Sequence, residues 1–266
     1  MVKIYPITKL VKEAKQPRGG YINPKMMDII KLGDGIDELN SNENINKGLI
    51  GTAVDYLSRF MSGSSVEDAF KISMRGSMII GEEDKAQEMM LDIKGLDDKS
   101  IENAVKLSGF DVCYRTRNAN YYKPVDSIKP DGATIDNIRT MVERSLKFFE
   151  KYGPKVLDGF SLEYWYGDVV IRGDGDFITK DTLWDFKTTK EKPKSDHTLQ
   201  LLVYWRMGLR SEYQELKKIK YLGIYNPRTN TVYRIDVNNI NGGVISEVES
   251  KIIGYRNWCI YKSKNI

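Results

Sequence analysis

The sequence predicts an α/β fold: a central β-sheet flanked by helices in the second half of the chain, plus a mostly helical N-terminal region. Three observations carry this. From about residue 47 to 107, apolar residues recur at helical spacing. After Pro154 the pattern changes to short runs rich in β-branched and aromatic residues, separated by turn residues. Helical patterns bracket those runs. With 266 residues and 41% hydrophobic content, the chain can build one large domain or two small ones. The change of character places residues 1–133 in the helical N-terminal region and 134–266 in the core.

The elements follow in order. Pro17, Gly19, Gly20 and Pro24 mark an irregular entry segment. Ile50, Val54, Leu57 and Met61 share one helical face. Ser64, followed three residues later by Glu67, forms a capping box that opens a helix carrying Val66, Phe70 and Ile72. A helix from Asp98 to Leu107 stops before Gly109. Tyr121, Tyr122, Pro124 and Pro130 break any period between 110 and 133. A long helix from Ile135 to Tyr152 ends at Gly153-Pro154. Strands are expected from Phe160 to Tyr166, Val169 to Thr179 and Leu183 to Thr188, then a helix from Asp196 to Leu209. Strands from Ile219 to Tyr225 and Val232 to Val237 flank the Asn226-Pro227-Arg228 turn, and a last helix runs from Val244 to Tyr261.

Composition narrows the chemistry. The only cysteines, Cys113 and Cys259, form no CxxC pair, which excludes an iron–sulfur cluster or a zinc site built on several thiolates. Two lone thiols and the absence of an apolar signal core predict a cytoplasmic protein without a membrane span. His197 is the only histidine, so catalysis has to rest mainly on carboxylates and lysines. No Walker A lysine motif occurs, so neither a helicase motor nor a nucleotide cofactor is expected.

The chemistry concentrates in Gly173 to Lys187. Along the second strand Leu183, Asp185 and Lys187 share one face, and Trp184 and Phe186 share the other. A turn centred on Lys180-Asp181 opposes Thr179 to Thr182, Phe177 to Trp184 and Asp176 to Asp185. That register buries an aromatic pair. It also sets two carboxylates face to face, a repulsion that a divalent cation relieves. Lys-Asp is a poor two-residue hairpin loop, and a three-residue loop breaks the register. The plain alternative is a polar solvent face on which Lys187 pairs with an aspartate. Asp174-x-Asp176 also matches the DxD motif of sugar transferases, whereas an EF-hand loop fails because Ile178 takes a ligand position.

Gly173-x-x-Asp176, then Asp185-x-Lys187, then Gln200-x-x-x-Tyr204 on the next helix resembles the RecB-like and Cas4-like branch of the PD-(D/E)XK nuclease superfamily. The resemblance covers about residues 135 to 240. It implies a restriction-endonuclease-like core with a mixed sheet, and DNA hydrolysis, in the main exonucleolytic. Recombination, repair or phage and mobile-element DNA processing is the implied setting. One or two Mg2+ or Mn2+ ions would be held by Asp176, Asp185 and the backbone carbonyl of Phe186, with Lys187 assisting the attacking water. Gln200 and Tyr204 would lie near bound DNA, although the same spacing suits an ordinary amphipathic helix. A helicase or other recombination protein, and a homo-oligomer, are further implied partners.

Other residues have two readings. Asp55, in Gly51-Thr-Ala-Val-Asp55-Tyr-Leu, stands where the family offers a metal-binding histidine; four residues from Arg59, it is equally placed for a surface ion pair. Glu163 matches an acidic metal position on the preceding strand, or faces solvent. His197 either touches a phosphate or caps its helix. From Lys187 to Lys220 nine basic residues face four acids, against a net charge of +4 for the chain, which suits phosphate contacts through Lys190 and its neighbours. The rival function is a nuclease-like fold that binds nucleic acid or a protein partner without cutting.

Overall fold

A computed structural model describes residues 3–36 and 38–255. The strands are β1 (Lys3–Pro6), β2 (Asp28–Lys31), β3 (Lys155–Tyr166), β4 (Val169–Thr179), β5 (Thr182–Phe186), β6 (Tyr221–Asn226) and β7 (Thr231–Asp236). The helices are α1 (Ile7–Glu13), α2 (Lys47–Met61), α3 (Val66–Ala69), α4 (Lys71–Ile80), α5 (Glu83–Leu91), α6 (Asp98–Ser108), α7 (Asp111–Thr116), α8 (Gly132–Tyr152), α9 (Ser195–Gly208) and α10 (Gly242–Glu247).

All seven strands form one mixed sheet in the order β1-β4-β5-β6-β7-β2, with β3 paired along β4. β4 is the spine. One edge carries β3 along its length, and the other carries β1 against Val169–Arg172 and β5 against Phe177–Thr179. β3-β4-β5 and β6-β7 are antiparallel, while β5 and β6 run parallel. A parallel pair needs a crossover, and α9 supplies it.

Alternation along the strands sorts the two faces. Ile178, Leu183 and Leu222 join Leu199 and Leu202 of α9 and Ile7 and Val11 of α1 in one core. On the other face Phe177, Trp184 and Tyr225 pack with Phe148 and Phe149 of α8, the Phe148 and Tyr225 rings stacking at 4.0 Å. A third core joins α2, α6 and α8 around Ile50, Leu57, Ile101 and Ile138. Among the described residues no helix is long and apolar enough to cross a membrane.

Several boundaries differ from the sequence expectation. Within residues 1–133, β1 and β2 extend the sheet and α1 lies in the α9 core, so this mostly helical region supplies strands as well. The cap falls one residue later than Ser64: Ser65 Oγ accepts from the Asp68 N–H at 3.1 Å, and the chain bends at Phe70 between α3 and α4. β3 starts at Lys155, ahead of Phe160, across a register shift. After α10 the chain makes a π-helical turn, Val248–Ile253, closed by Gly254 at φ 86°. The rest of the expected last helix, to Tyr261, and Cys259 lie outside the described residues.

Candidate active site

The β4-β5 hairpin has the register the aromatic pair demands: Phe177 opposes Trp184, Ile178 opposes Leu183 and Thr179 opposes Thr182. Lys180 supplies the tight turn by adopting a left-handed φ of 45°. Outside contacts hold it, since the Asp181 carbonyl accepts from the N–H groups of Lys220 (2.8 Å) and Tyr221 (3.2 Å) at the start of β6. Trp184 Nε1 donates to Thr179 Oγ1 at 2.8 Å.

Ladder pairing ends at Phe177 and Trp184. Beyond it Asp176 reaches across, and its Oδ2 accepts the Phe186 N–H at 2.6 Å. Asp185 is 2% exposed, and Lys187 Nζ donates to its Oδ1 at 2.9 Å. Lys187 Nζ lies 2.9 Å from Oδ2 as well, so the ammonium straddles the carboxylate, and no other group donates to that buried oxygen. Burial, then the Asp185 charge, pushes the Asp176 carboxyl up to about 7, against the opposing pull of Lys187. Burial alone would lower Lys187, but Asp185 and Asp176 outweigh it and hold the ammonium charged.

The chain leaving β5 is fixed from three sides. Lys187 N–H donates to the Tyr225 carbonyl at 3.0 Å, Arg228 Nε to the Thr188 carbonyl at 2.6 Å, and Asn226 Nδ2 to the Thr189 carbonyl at 2.6 Å. Helix α2 closes over it. A side chain on Gly51 would put Cβ 2.8 Å from Thr188 Oγ1, so α2 lies close against this strand end. Between them lies a cavity of about 260 Å³ whose wall includes Asp55, Asp176, Phe186 and Thr188.

Asp55 thus reaches the same cavity as Asp176, and it also makes the ion pair its spacing suggested. Arg59 Nε donates to Oδ1 at 3.1 Å, and Nη2 lies 3.0 Å from Oδ2. Gln200 and Tyr204 are both buried on α9. Gln200 Nε2 donates to Tyr204 Oη at 3.1 Å, and Tyr204 Oη donates to the Asp174 carbonyl at 3.0 Å. Gly173 makes that possible: a Cβ there would sit 2.8 Å from Tyr204 Cε1 and 2.7 Å from Ile7 Cδ1. The glycine and the glutamine–tyrosine pair are therefore two halves of one contact that sets β4 against α9.

Three residues named from the sequence stand apart. Glu163 is exposed opposite Arg172, with 3.4 Å between their charges, and does not line the cavity. His197 caps α9, its Nδ1 accepting the Lys194 N–H at 3.3 Å; burial and the neighbouring Lys187 lower its pKa. Lys190 is exposed on the loop after β5. The positive surplus of this region is also less free than the sequence count implies. Lys187, Lys194, Arg206, Arg210 and Lys220 face Asp185, Glu191, Glu249 and Asp181, and only Glu191 falls within the counted run.

Sequence reasoning missed Lys47, Tyr56 and Arg115, which share the cavity wall. Tyr56 Oη donates to Asp111 Oδ2 at 2.6 Å, and Arg115 Nη2 lies 3.3 Å from the same oxygen. The i,i+4 spacing of Asp111 and Arg115 was the one visible signal.

Among the described residues no three side chains of His, Cys, Asp or Glu converge as a ready ligand set. A magnesium-type ion does not require three, because it commonly takes one or two carboxylates and keeps several waters. Asp185 Oδ2, met only by the Lys187 ammonium, and Asp176, raised by its neighbour's charge, suit such a cation. No protein-family model and no curated protein matches the chain.

Proposed function

We propose that the chain is a Mg2+- or Mn2+-dependent DNA nuclease of the PD-(D/E)XK type, with a restriction-endonuclease-like core. The observation that carries the reading is the acid pair of one hairpin, Asp185 buried and Asp176 half-buried, with the Lys187 ammonium against Asp185. The order α8, β3-β4-β5, α9, β6-β7 supports it, since a mixed sheet with a single crossover helix suits that core.

Asp176 and Asp185 are the residues to hold the ion, with the Phe186 carbonyl beside them and Asp55 available once Arg59 releases it. A divalent cation held by these residues would supply the polarisation of the phosphodiester and the activation of water. Lys187 keeps its charge while half-buried, so it can orient the attacking water and stabilise the negative charge that develops on phosphate. Arg228 and Asn226 hold the chain around Lys187 in place. Gln200 and Tyr204 position β4 through the Asp174 carbonyl. Exonucleolytic processing in recombination, repair or phage and mobile-element metabolism is carried by family analogy alone.

The test is degradation of end-labelled linear and circular DNA with Mg2+, Mn2+ or EDTA, comparing wild type with Lys187→Ala. We expect metal-dependent loss of linear DNA, reduced about 10²–10³-fold in the variant. The Arg59 hold on Asp55 favours a second reading, a nuclease-like fold that binds without cutting. No cleavage under either metal selects it.

A further inference from the structure

Asp55 enters the cavity beside Asp176, yet one guanidinium holds both of its carboxylate oxygens, Arg59 Nε on Oδ1 and Nη2 on Oδ2. The Arg59 side chain is only 17% exposed, so its charge is costly to strand when Asp55 turns away. A second acid stands on its other side. Asp158 of β3 has a buried Oδ1 that accepts no hydrogen bond and lies 3.8 Å from Arg59 Nη1. Its other oxygen, Oδ2, is already taken by Lys155 Nζ at 3.1 Å. Lys155 is itself held in place, 11% exposed, with its ammonium 4.8 Å from the centre of the Phe149 ring and 5.5 Å from that of Phe177. Asp158 is thus anchored through one oxygen and offers the other. The next residue keeps the approach clear: Gly159 has a φ of 64°, and a Cβ there would lie 3.2 Å from Arg59 Nη1.

From this geometry we infer that Asp158 is a positioning residue acting through Arg59: it receives the guanidinium when Asp55 turns to a divalent cation at the hairpin acids. The inference rests on the metal-dependent reading of that site. A guanidinium is a planar fork with five donors, so it can exchange one carboxylate for another without losing a charge partner. A shift of about 1 Å brings Nη1 from its present place to hydrogen-bonding distance of Asp158 Oδ1. Asp55 then becomes a free carboxylate and no guanidinium is left buried and unpaired. Without Asp158, Arg59 depends on Asp55 alone for that bond, and a cation has to compete with it. Neither Arg59 nor Asp158 touches substrate in this scheme. Together they set how readily Asp55 is released.

The experiment is titration of the full chain with Mn2+ alone, the free ion read by its electron paramagnetic resonance signal. Wild type is compared with Asp158→Asn, Arg59→Met and the double variant. Asp158→Asn is isosteric and keeps an acceptor for Lys155, so the fold is retained; it should weaken Mn2+ binding by about tenfold. Arg59→Met frees Asp55 outright and should tighten binding by about the same factor. Loss of a nearby negative charge would also weaken binding, and the double variant separates the two causes. With Arg59 gone, Asp158→Asn should change Mn2+ affinity by less than about twofold. An equal loss in both backgrounds overturns the inference and makes Asp158 a charge acting through space. No loss in either overturns it as well and makes Arg59 a fixed strut between α2 and β3, which shifts urea unfolding and leaves Mn2+ affinity alone. Cleavage is scored separately. A wild type that shows the predicted affinities yet never cuts DNA keeps the exchange and removes the nuclease; one that cuts while the affinities stay put keeps the nuclease and removes the exchange. A wild type that binds no Mn2+ removes both.

Discussion

Two regions of this protein bury charge, and they treat it in opposite ways. Around Arg144 on α8, 2% exposed, every guanidinium N–H has an acceptor. Nε and Nη2 reach Asp34, Nη1 reaches the carbonyls of Pro227 and Arg228, and Nη2 also reaches Ile36. Arg228 in turn meets Glu43 at 2.7 Å, and Glu43 accepts from Asn137 at 2.8 Å. At the β4-β5 hairpin, two acids share one lysine, and the buried Asp185 Oδ2 meets only that ammonium. A satisfied buried network has no use for another charge. Two acids left with a single lysine can still take up a cation, and this contrast in charge balance is what sets the hairpin apart from the Arg144 network.

Breaking the satisfied region should have the largest effect. Arg144→Met strands Asp34 and three carbonyls in a buried setting and should cost about 3–5 kcal/mol in urea unfolding. Any protein that still folds should cut DNA normally per folded molecule. A loss below about 1 kcal/mol would mean that water already replaces these bonds.

Removing an acid from the deficient region should act differently on stability and on activity. Asp176→Asn keeps an acceptor for the Phe186 N–H and removes half of the repulsion. Without metal, at pH 8, it should gain about 0.5–2 kcal/mol while metal-dependent cleavage falls about 10²–10³-fold. A fall in melting temperature instead would mark Asp176 as an ordinary ion-pair partner of Lys187, and the hairpin as scaffold like Arg144.

The comparison also has a pH arm. Burial would raise the Asp34 carboxyl, but the hydrogen bonds and charge of Arg144 outdo it and hold the acid below its ordinary value. Its contribution is complete above the unfolded value of about 3.9 and is lost as pH falls through the lower folded value. Urea midpoints measured from pH 6 to pH 2 should therefore drop steeply below pH 4, and Asp34→Asn should flatten that limb. An unchanged slope would assign the acid limb to other carboxylates.

How much of this contrast the sequence carried depends on the range of the interactions. The hairpin was legible because its information is local: Phe177 and Trp184 set the register, and Asp176, Asp185 and Lys187 follow from alternation. β1 and β2 were not, since each has four residues without a clear alternation and finds its partner more than 160 positions away. The Arg144 network was invisible for the same reason, as Asp34 lies 110 positions from it and Glu43 185 from Arg228. Gly173, Gln200 and Tyr204 were legible as a pattern, but their joint role needed the packing of α9 on β4.

The smallest expected effect belongs to an acid the sequence placed near the site and the structure places elsewhere. Glu163 and Arg172 face each other across β3 and β4 with side chains 42% and 43% exposed. At that exposure solvent screens most of the attraction, and ordering two side chains offsets much of the rest. Glu163→Gln should shift unfolding by less than about 0.5 kcal/mol and leave cleavage unchanged. The result matters because Glu163 is a carboxylate like Asp185 and lies on the strand paired with that of Asp176. If chemistry here follows from buried acids left with too few partners, an exposed acid screened by solvent contributes none of it. A tenfold loss of cleavage in Glu163→Gln, with stability intact, would show that proximity in the sheet counts for more than the burial of Asp185.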